Sequence, residues 1–152
     1  MTYTAAEGRR QLLEDLGRAI EALNAALASL GAAYEALDDS TADHLEAQLF
    51  RPVQSAAGRA RRIHTAFAAR HGLPAANFPP ASAGPASLGA RGLVDRATDA
   101  VAEADEALAE LQDSMLPVEV GDPELRSGLA EVRGLVGEVQ GRARELVRTL
   151  GR

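Results

Sequence analysis

Residues 13–37 read Leu13-Glu14-Asp15-Leu16-Gly17-Arg18-Ala19-Ile20-Glu21-Ala22-Leu23-Asn24-Ala25-Ala26-Leu27-Ala28-Ser29-Leu30-Gly31-Ala32-Ala33-Tyr34-Glu35-Ala36-Leu37. Large apolar side chains recur at Leu13, Leu16, Ile20, Leu23, Leu27, Leu30, Tyr34 and Leu37. Steps of three and four bring them onto one side of an α-helix, as in the core seam of a helical bundle. Ala19, Ala26 and Ala33 flank the seam on one side, and Gly17 and Gly31 on the other. Small flanks let two neighbouring backbones approach, which suits several helices better than a two-stranded coil. Just upstream, Thr4-Ala5-Ala6-Glu7 has the spacing of a capping box, so the helix starts there.

Three further segments follow the same pattern. The second begins after Asp38-Asp39 and carries Leu45, Leu49, Val53, Ala56, Ala60, Ile63 and Phe67. It ends at His71-Gly72-Leu73-Pro74, where glycine supplies a left-handed residue and proline blocks continuation. Pro52 lies inside it and predicts a kink that frees the carbonyl of Gln48. The third segment presents Val94, Ala97, Val101, Ala104, Leu108, Leu111 and Met115 inward, with Pro117 as its stop. The fourth opens at Asp122-Pro123-Glu124, a cap, a first-turn proline and an acid at the positive end of the helix dipole. Its seam is Leu125, Leu129, Val132, Val136, Val139, Ala143, Leu146 and Leu150.

The expected fold is therefore all-α. It is one domain, 1–152, an antiparallel up-down-up-down four-helix bundle with helices over about 4–38, 40–71, 87–115 and 122–150. Each would be roughly 45 Å long at 1.5 Å per residue. Charge supports this order. Residues 1–39 carry three arginines and seven acids, and 40–72 five arginines and two acids. Residues 85–121 carry two and eight, and 122–152 six and five. The sign alternates, so a sequential square places opposite signs side by side. The loop at 73–86 is longer than bundle connections need and is the one feature that permits a crossover instead.

Composition removes many chemistries. The 152 residues contain no Cys and no Trp, and all 16 positive charges are arginine. Disulfides, thiolate nucleophiles, Schiff-base lysines and the P-loop lysine are excluded. Five Phe and Tyr residues are too few for a stacking platform, and a net charge of −6 argues against general nucleic-acid binding. No apolar run reaches the ~18 residues of a membrane span, and the N-terminus lacks a signal-peptide pattern. A cytoplasmic protein without cofactor or membrane partner is the expectation.

Five constellations remain. Asp95, Asp99, Glu103, Glu106, Glu110 and Asp113 share one face of the third segment. No Glu-x-x-His accompanies them, so they read as a solvated face and not as a di-iron site. Arg59, Arg61, Arg62, His64, Arg70 and His71 cluster toward the end of the second segment, where they complement the helix dipole and acidic neighbours. Within the cluster, Arg59-Ala60-Arg61-Arg62-Ile63-His64 has an Arg-x4-His spacing that resembles the short motif of HEPN-type ribonucleases. That resemblance implies a helical fold in which Arg59 polarises a phosphate and His64 serves in acid/base chemistry. The chain departs from the pattern at Ala60, where the family usually has a polar residue, and in placing the motif well inside its second helix.

His44, His64 and His71 otherwise read as surface or boundary residues, with His64 and His71 too far apart along the helix for one metal ion. Gly134, Gly137 and Gly141 form a stripe on the fourth segment that suits close packing within the bundle or a homodimer face. In the 73–86 loop, Phe78 is the sole aromatic and reads either as a cap on the bundle end or as part of a functional loop. The leading function is a non-catalytic interaction or scaffold module that self-associates or docks another helical protein. The rival is a ligand- or metal-binding bundle with a cavity opened by the Pro52 kink and lined by Tyr34, Gln48, Arg51 and Gln54.

Overall fold

The computed structural model describes residues 4–150. Every regular element among them is helical. The first helix, α1 (Ala5–Glu35), starts with the expected capping box. The Glu7 N–H donates to Thr4 Oγ1 at 3.2 Å, and the Thr4 N–H donates to the Glu7 carboxylate at 3.1 Å. After a tight turn, Asp38 caps α2 (Asp39–Leu45) by accepting from the Thr41 N–H at 2.9 Å.

The second segment is continuous but not uniform. A π-helical turn, Glu46–Phe50, joins α2 to α3 (Arg51–Arg70). The Arg51 N–H reaches back to the Glu46 carbonyl, five residues away. Pro52 sits in the first turn of α3. In a regular helix its ring would press on the carbonyl four residues earlier. A wider turn just before it relieves that contact by local unwinding.

Two departures follow in the second half. A 3-10 turn at Ala86–Leu88 precedes α4 (Gly89–Asp113). Met115 does not point inward: it is 51% exposed and left-handed, with φ 66°. This residue breaks α4 and lets Leu116 and Pro117 turn into the core. Pro117 therefore begins a short helix, α5 (Leu116–Val120), instead of ending a long one. Asp122 then caps α6 (Pro123–Leu150), accepting from the Leu125 N–H at 2.9 Å.

The core is one continuous cluster. All seven expected apolar positions on α2–α3 are buried, as are those of α4 apart from Met115 and those of α6 up to Leu146. On α1 the seam drifts. Beyond Leu23 it passes to Ala26, Leu30 and Ala33, while Leu27, Tyr34 and Leu37 are only half-buried.

Neighbours differ from the expected order. The main pairings are α1 with α4, α3 with α6, α4 with α6, and α1 with α3. The pairs α3–α4 and α1–α6, which a sequential square would make adjacent, are not among them. Directions follow from residue contacts. Arg70 and His71 at the end of α3 meet Asp122 at the start of α6. Gln11 and Asp15 near the start of α1 border one hollow with Glu110 and Leu111 near the end of α4. The long helices thus run up, down, down, up, and the chain between α3 and α4 is the crossover. It climbs beside α1, with Leu73 and Phe78 near Leu13 and Gly17, then Pro80 and Ala81 near Asn24 and Ala28.

Up-down-up-down is therefore corrected, and with it the charge argument. The two acidic segments are neighbours, and so are the two basic ones. Net helix charge has little leverage because exposed charges about a Debye length apart, ~10 Å, are mostly screened. Side-chain size decides instead. Buried Ala19, Ala22, Ala26 and Ala33 on α1, with Ala97 and Ala104 on α4, permit close backbones.

Candidate functional site

The crossover begins with a well-formed helix stop. The Leu73 N–H donates to the Ala68 carbonyl at 2.8 Å and the Gly72 N–H to Ala69 at 3.3 Å. Gly72 has φ 64°, the left-handed conformation this arrangement requires. The strand of chain that follows lies as a strap along the groove between α1 and α3. Phe78 anchors it. A side chain on Gly17 would stand 3.5 Å from the Phe78 ring, so the glycine forms the floor beneath the aromatic. The His64 ring meets Phe78 edge-on, with centroids 5.0 Å apart and planes at 87°. Phe78 therefore seals a side groove and does not cap the end of the helices.

Between strap and α1 is a hollow of about 510 Å³. Leu13, Gly17, Leu73 and Phe78 give it apolar walls, and Arg10, Glu14, Arg18 and Glu21 surround it. His64 is part of the wall and is 3% exposed, so it is not a surface histidine. Burial lowers its pKa, against the opposing pull of a hydrogen bond with the Leu13 backbone. The ring is uncharged at neutral pH. Its Nδ1 is buried without a hydrogen-bond partner.

The rest of the basic cluster serves mostly as interhelical ties. Arg70 donates to both carboxylate oxygens of Asp122 at 2.9 Å and also pairs with Glu124. The His71 Nε2 lies 3.1 Å from the same Asp122 carboxylate. Burial pushes the pKa of Asp122 up, but the Leu125 N–H, Arg70 and His71 outweigh it and hold the carboxyl below its usual range. Arg59 pairs with Glu131 on α6, and Arg61 donates to Asn24 on α1 at 3.1 Å. Arg59 and His64 consequently face different neighbours, α6 and the α1–strap groove. The two groups of the Arg-x4-His motif are not brought to one point.

The residues named for a cavity at Pro52 take different positions. Arg51 and Gln54 are exposed, while Tyr34 and Gln48 are half-buried. Ala56 and Ala60, where space was expected, are fully buried in the core. The charges of Asp43 and Glu46 raise the pKa of Tyr34, which keeps its phenol protonated. The acidic face of α4 is exposed along its length. No group of three or more potential ligands able to hold a metal ion occurs among the described residues. No helix among them is long and apolar enough to cross a membrane.

The glycines of α6 divide sharply. A methyl group on Gly128 would stand 2.5 Å from Ile63 Cδ1 and 2.7 Å from its Cγ1, so this glycine lets α3 and α6 meet. Gly134, Gly137 and Gly141 would meet nothing within 4 Å. Close packing inside the fold does not account for them.

His64 is the residue whose role the sequence disguised. It flanks the Ala60–Ile63–Phe67 seam, and its burial depends on a strap that arrives from later in the chain. The visible signals were Phe78, alone in its loop, and Gly17 beside the first seam. Comparison with protein-family models, curated proteins and solved structures finds no match for this chain.

Proposed function

We propose that the chain works as a cytoplasmic four-helix bundle with a non-catalytic role, an interaction module that self-associates through the outer face of α6. The observation that carries this reading is the open space over Gly134, Gly137 and Gly141. A glycine inside a helix costs on the order of 1 kcal/mol relative to alanine. At Gly128 the contact with Ile63 offsets that cost. At the other three no internal contact does, and close approach of a second helix supplies one. The divergence of Arg59 from His64 favours a binding role over catalysis.

Native mass spectrometry and light scattering across a concentration series test the proposal. The expected result is a dimer that becomes monomeric when Gly137→Leu and Gly141→Leu are combined, with helix content unchanged. A wild-type chain that stays monomeric throughout, or a double variant with the wild-type mass, refutes it.

A further inference from the structure

We propose that the outer groove of α3 is a docking site for α4 of a second copy of this chain, with an arginine pair of one copy meeting the acidic helix face of the next. The geometry at Gly58 carries the first half. A side chain there would stand 3.3 Å from Arg62 Nη1 and 3.9 Å from Arg61 Nη2, so two guanidinium groups converge over the glycine. Among the described residues Arg51, Arg59 and Arg70 of the same helix pair with acids, and Arg61 and Arg62 do not. No acid occurs in the sequence between Glu46 and Asp95. Like charges so close repel until an anion comes between them. Arg61 is fixed in place, because its Nη1 donates to the buried Asn24 at 3.1 Å while Nη2 is left on the groove side. Thr65, Ala66 and Ala69 continue the groove along α3, a shallow hollow of about 430 Å³. Side chains this small let a second helix lie close against the surface.

The chain itself carries the matching surface. On α4, Asp105 is tied to Arg133, but the exposed Asp99, Glu103, Glu106 and Glu110 have no ion-pair partner among the described residues. Their steps of four and three align them on one face, and no arginine occurs between Arg96 and Arg126. Within one copy the two surfaces do not meet, because α3 and α4 are not paired and stand at opposite corners of the bundle. Between copies they can. The α1–α4 layer comes from the acidic segments and the α3–α6 layer from the basic ones. At about 0.1 M salt the Debye length is ~10 Å, close to the spacing of packed helices, so each copy feels mainly the layer that touches it. The chain's net charge of −6 then counts for less than the contact charges. Groove and acidic face are different surfaces, so the contact is heterologous and growth does not stop at two copies. Arg59 turns to α6, whereas Arg61 also borders the hollow with Asn24 and Pro80 on the strap side. The groove is therefore separate from the outer face of α6, and neither contact rests on the other.

Sedimentation velocity and light scattering on the full chain measure the association, and nitrogen-15 spectra locate it. The average mass should rise with concentration at about 0.1 M salt and fall back at about 1 M, where the Debye length is only ~3 Å. Rising concentration should move the backbone resonances of Gly58, Thr65, Ala66 and Ala69 together with those of Glu103 and Glu106. A dimer through α6 would instead move Gly134, Gly137 and Gly141 and would persist in salt.

Arg62→Glu should weaken the salt-sensitive association by about tenfold, since it turns attraction into repulsion at one of the two cations. Glu103→Arg combined with Glu106→Arg should do the same. Mixing these two variants should restore association, because the intact groove of one meets the intact acidic face of the other. Arg62 is reversed and not Arg61, which also holds Asn24. All three changed positions are exposed, so circular dichroism should show the helices intact. The proposal is overturned by a mass that does not respond to salt, by a mixture no more associated than its components, or by shifts confined to other faces. Saturable shifts at the groove with inorganic phosphate, and none with a second copy, would also overturn it and assign the arginine pair to a small anion.

Discussion

Gly128→Ala is expected to destabilise the protein even though alanine is the better helix former. A methyl group there would lie 2.5 and 2.7 Å from two atoms of Ile63, far inside van der Waals contact. Ile63 is buried and β-branched, so its χ1 has little freedom to yield within a helix. Overpacking of this kind costs about 1–3 kcal/mol, and the propensity gain returns roughly 1 kcal/mol. The net loss is therefore up to about 2 kcal/mol, or a fall of up to several degrees in Tm at ~2–4 °C per kcal/mol for this chain length. Two controls isolate the cause. Gly31→Ala, in α1 and with nothing within 4 Å, should stabilise by about 1 kcal/mol. In an Ile63→Ala background, Gly128→Ala should become stabilising, giving a coupling energy of about 1–3 kcal/mol between the two positions. Urea unfolding followed by far-ultraviolet circular dichroism measures all of these at a common protein concentration. A Gly128→Ala effect of the same sign and size with Ile63 present or absent would refute the close α3–α6 contact as its source.

Asp122→Ala should lose both the α6 cap and the Arg70–His71 tie, at a cost of about 2–4 kcal/mol. Asp122→Asn retains a good cap, so the difference between the variants in the same urea assay measures the ionic part, and equal losses would exclude it. His64 predicts a pH dependence. Its folded pKa is lowered, so its contribution is fully present above the unfolded value of about 6.5 and is lost as pH falls through the folded value. Arg10, Glu14, Arg18 and Glu21 border the same hollow. Unfolding free energies measured between pH 7 and about 5 should fall for the wild type. The decline should flatten in His64→Leu, and an unchanged slope would assign it to other groups. Met115→Gly should stabilise by about 1 kcal/mol, because a left-handed non-glycine residue is strained and this one is exposed. Met115→Ala should not, and thermal unfolding of the pair distinguishes strain from side-chain loss.

Helices were legible wherever local chemistry decides them. Thr4 with Glu7, and Asp122 with Pro123, marked two starts that the structure reproduces in hydrogen bonds. The seams of α3, α4 and α6 were legible because burial repeats at helical spacing. Legibility failed where distant residues decide. Leu27 and Tyr34 match the α1 seam in type and step, but packing against α4 favours the smaller Ala26 and Ala33. The left-handed turn at Met115 has no glycine to announce it. The order of helices is not legible in net segment charge, because charge summed over mostly exposed side chains is largely screened. For the candidate site, Gly17, His64 and Phe78 each appear ordinary in sequence, and only the path of the strap assembles them. The α6 glycines stand out by their spacing, but their outward orientation depends on how α6 packs against α3 and α4.

The crossover also has a kinetic consequence. The most extensive helix pairing, α1 with α4, joins residues 5–35 to residues 89–113. It cannot begin until α2, α3 and the strap have been made, and it closes a loop spanning much of the chain. Loop closure of that kind raises contact order, and contact order slows folding. During synthesis α1 can associate first only with α3, leaving its alanine-rich side uncovered. Folding is therefore expected to pass through a helical hairpin of α1 and α3 that waits for α4, and completion of the chain, not helix formation, sets when the core closes.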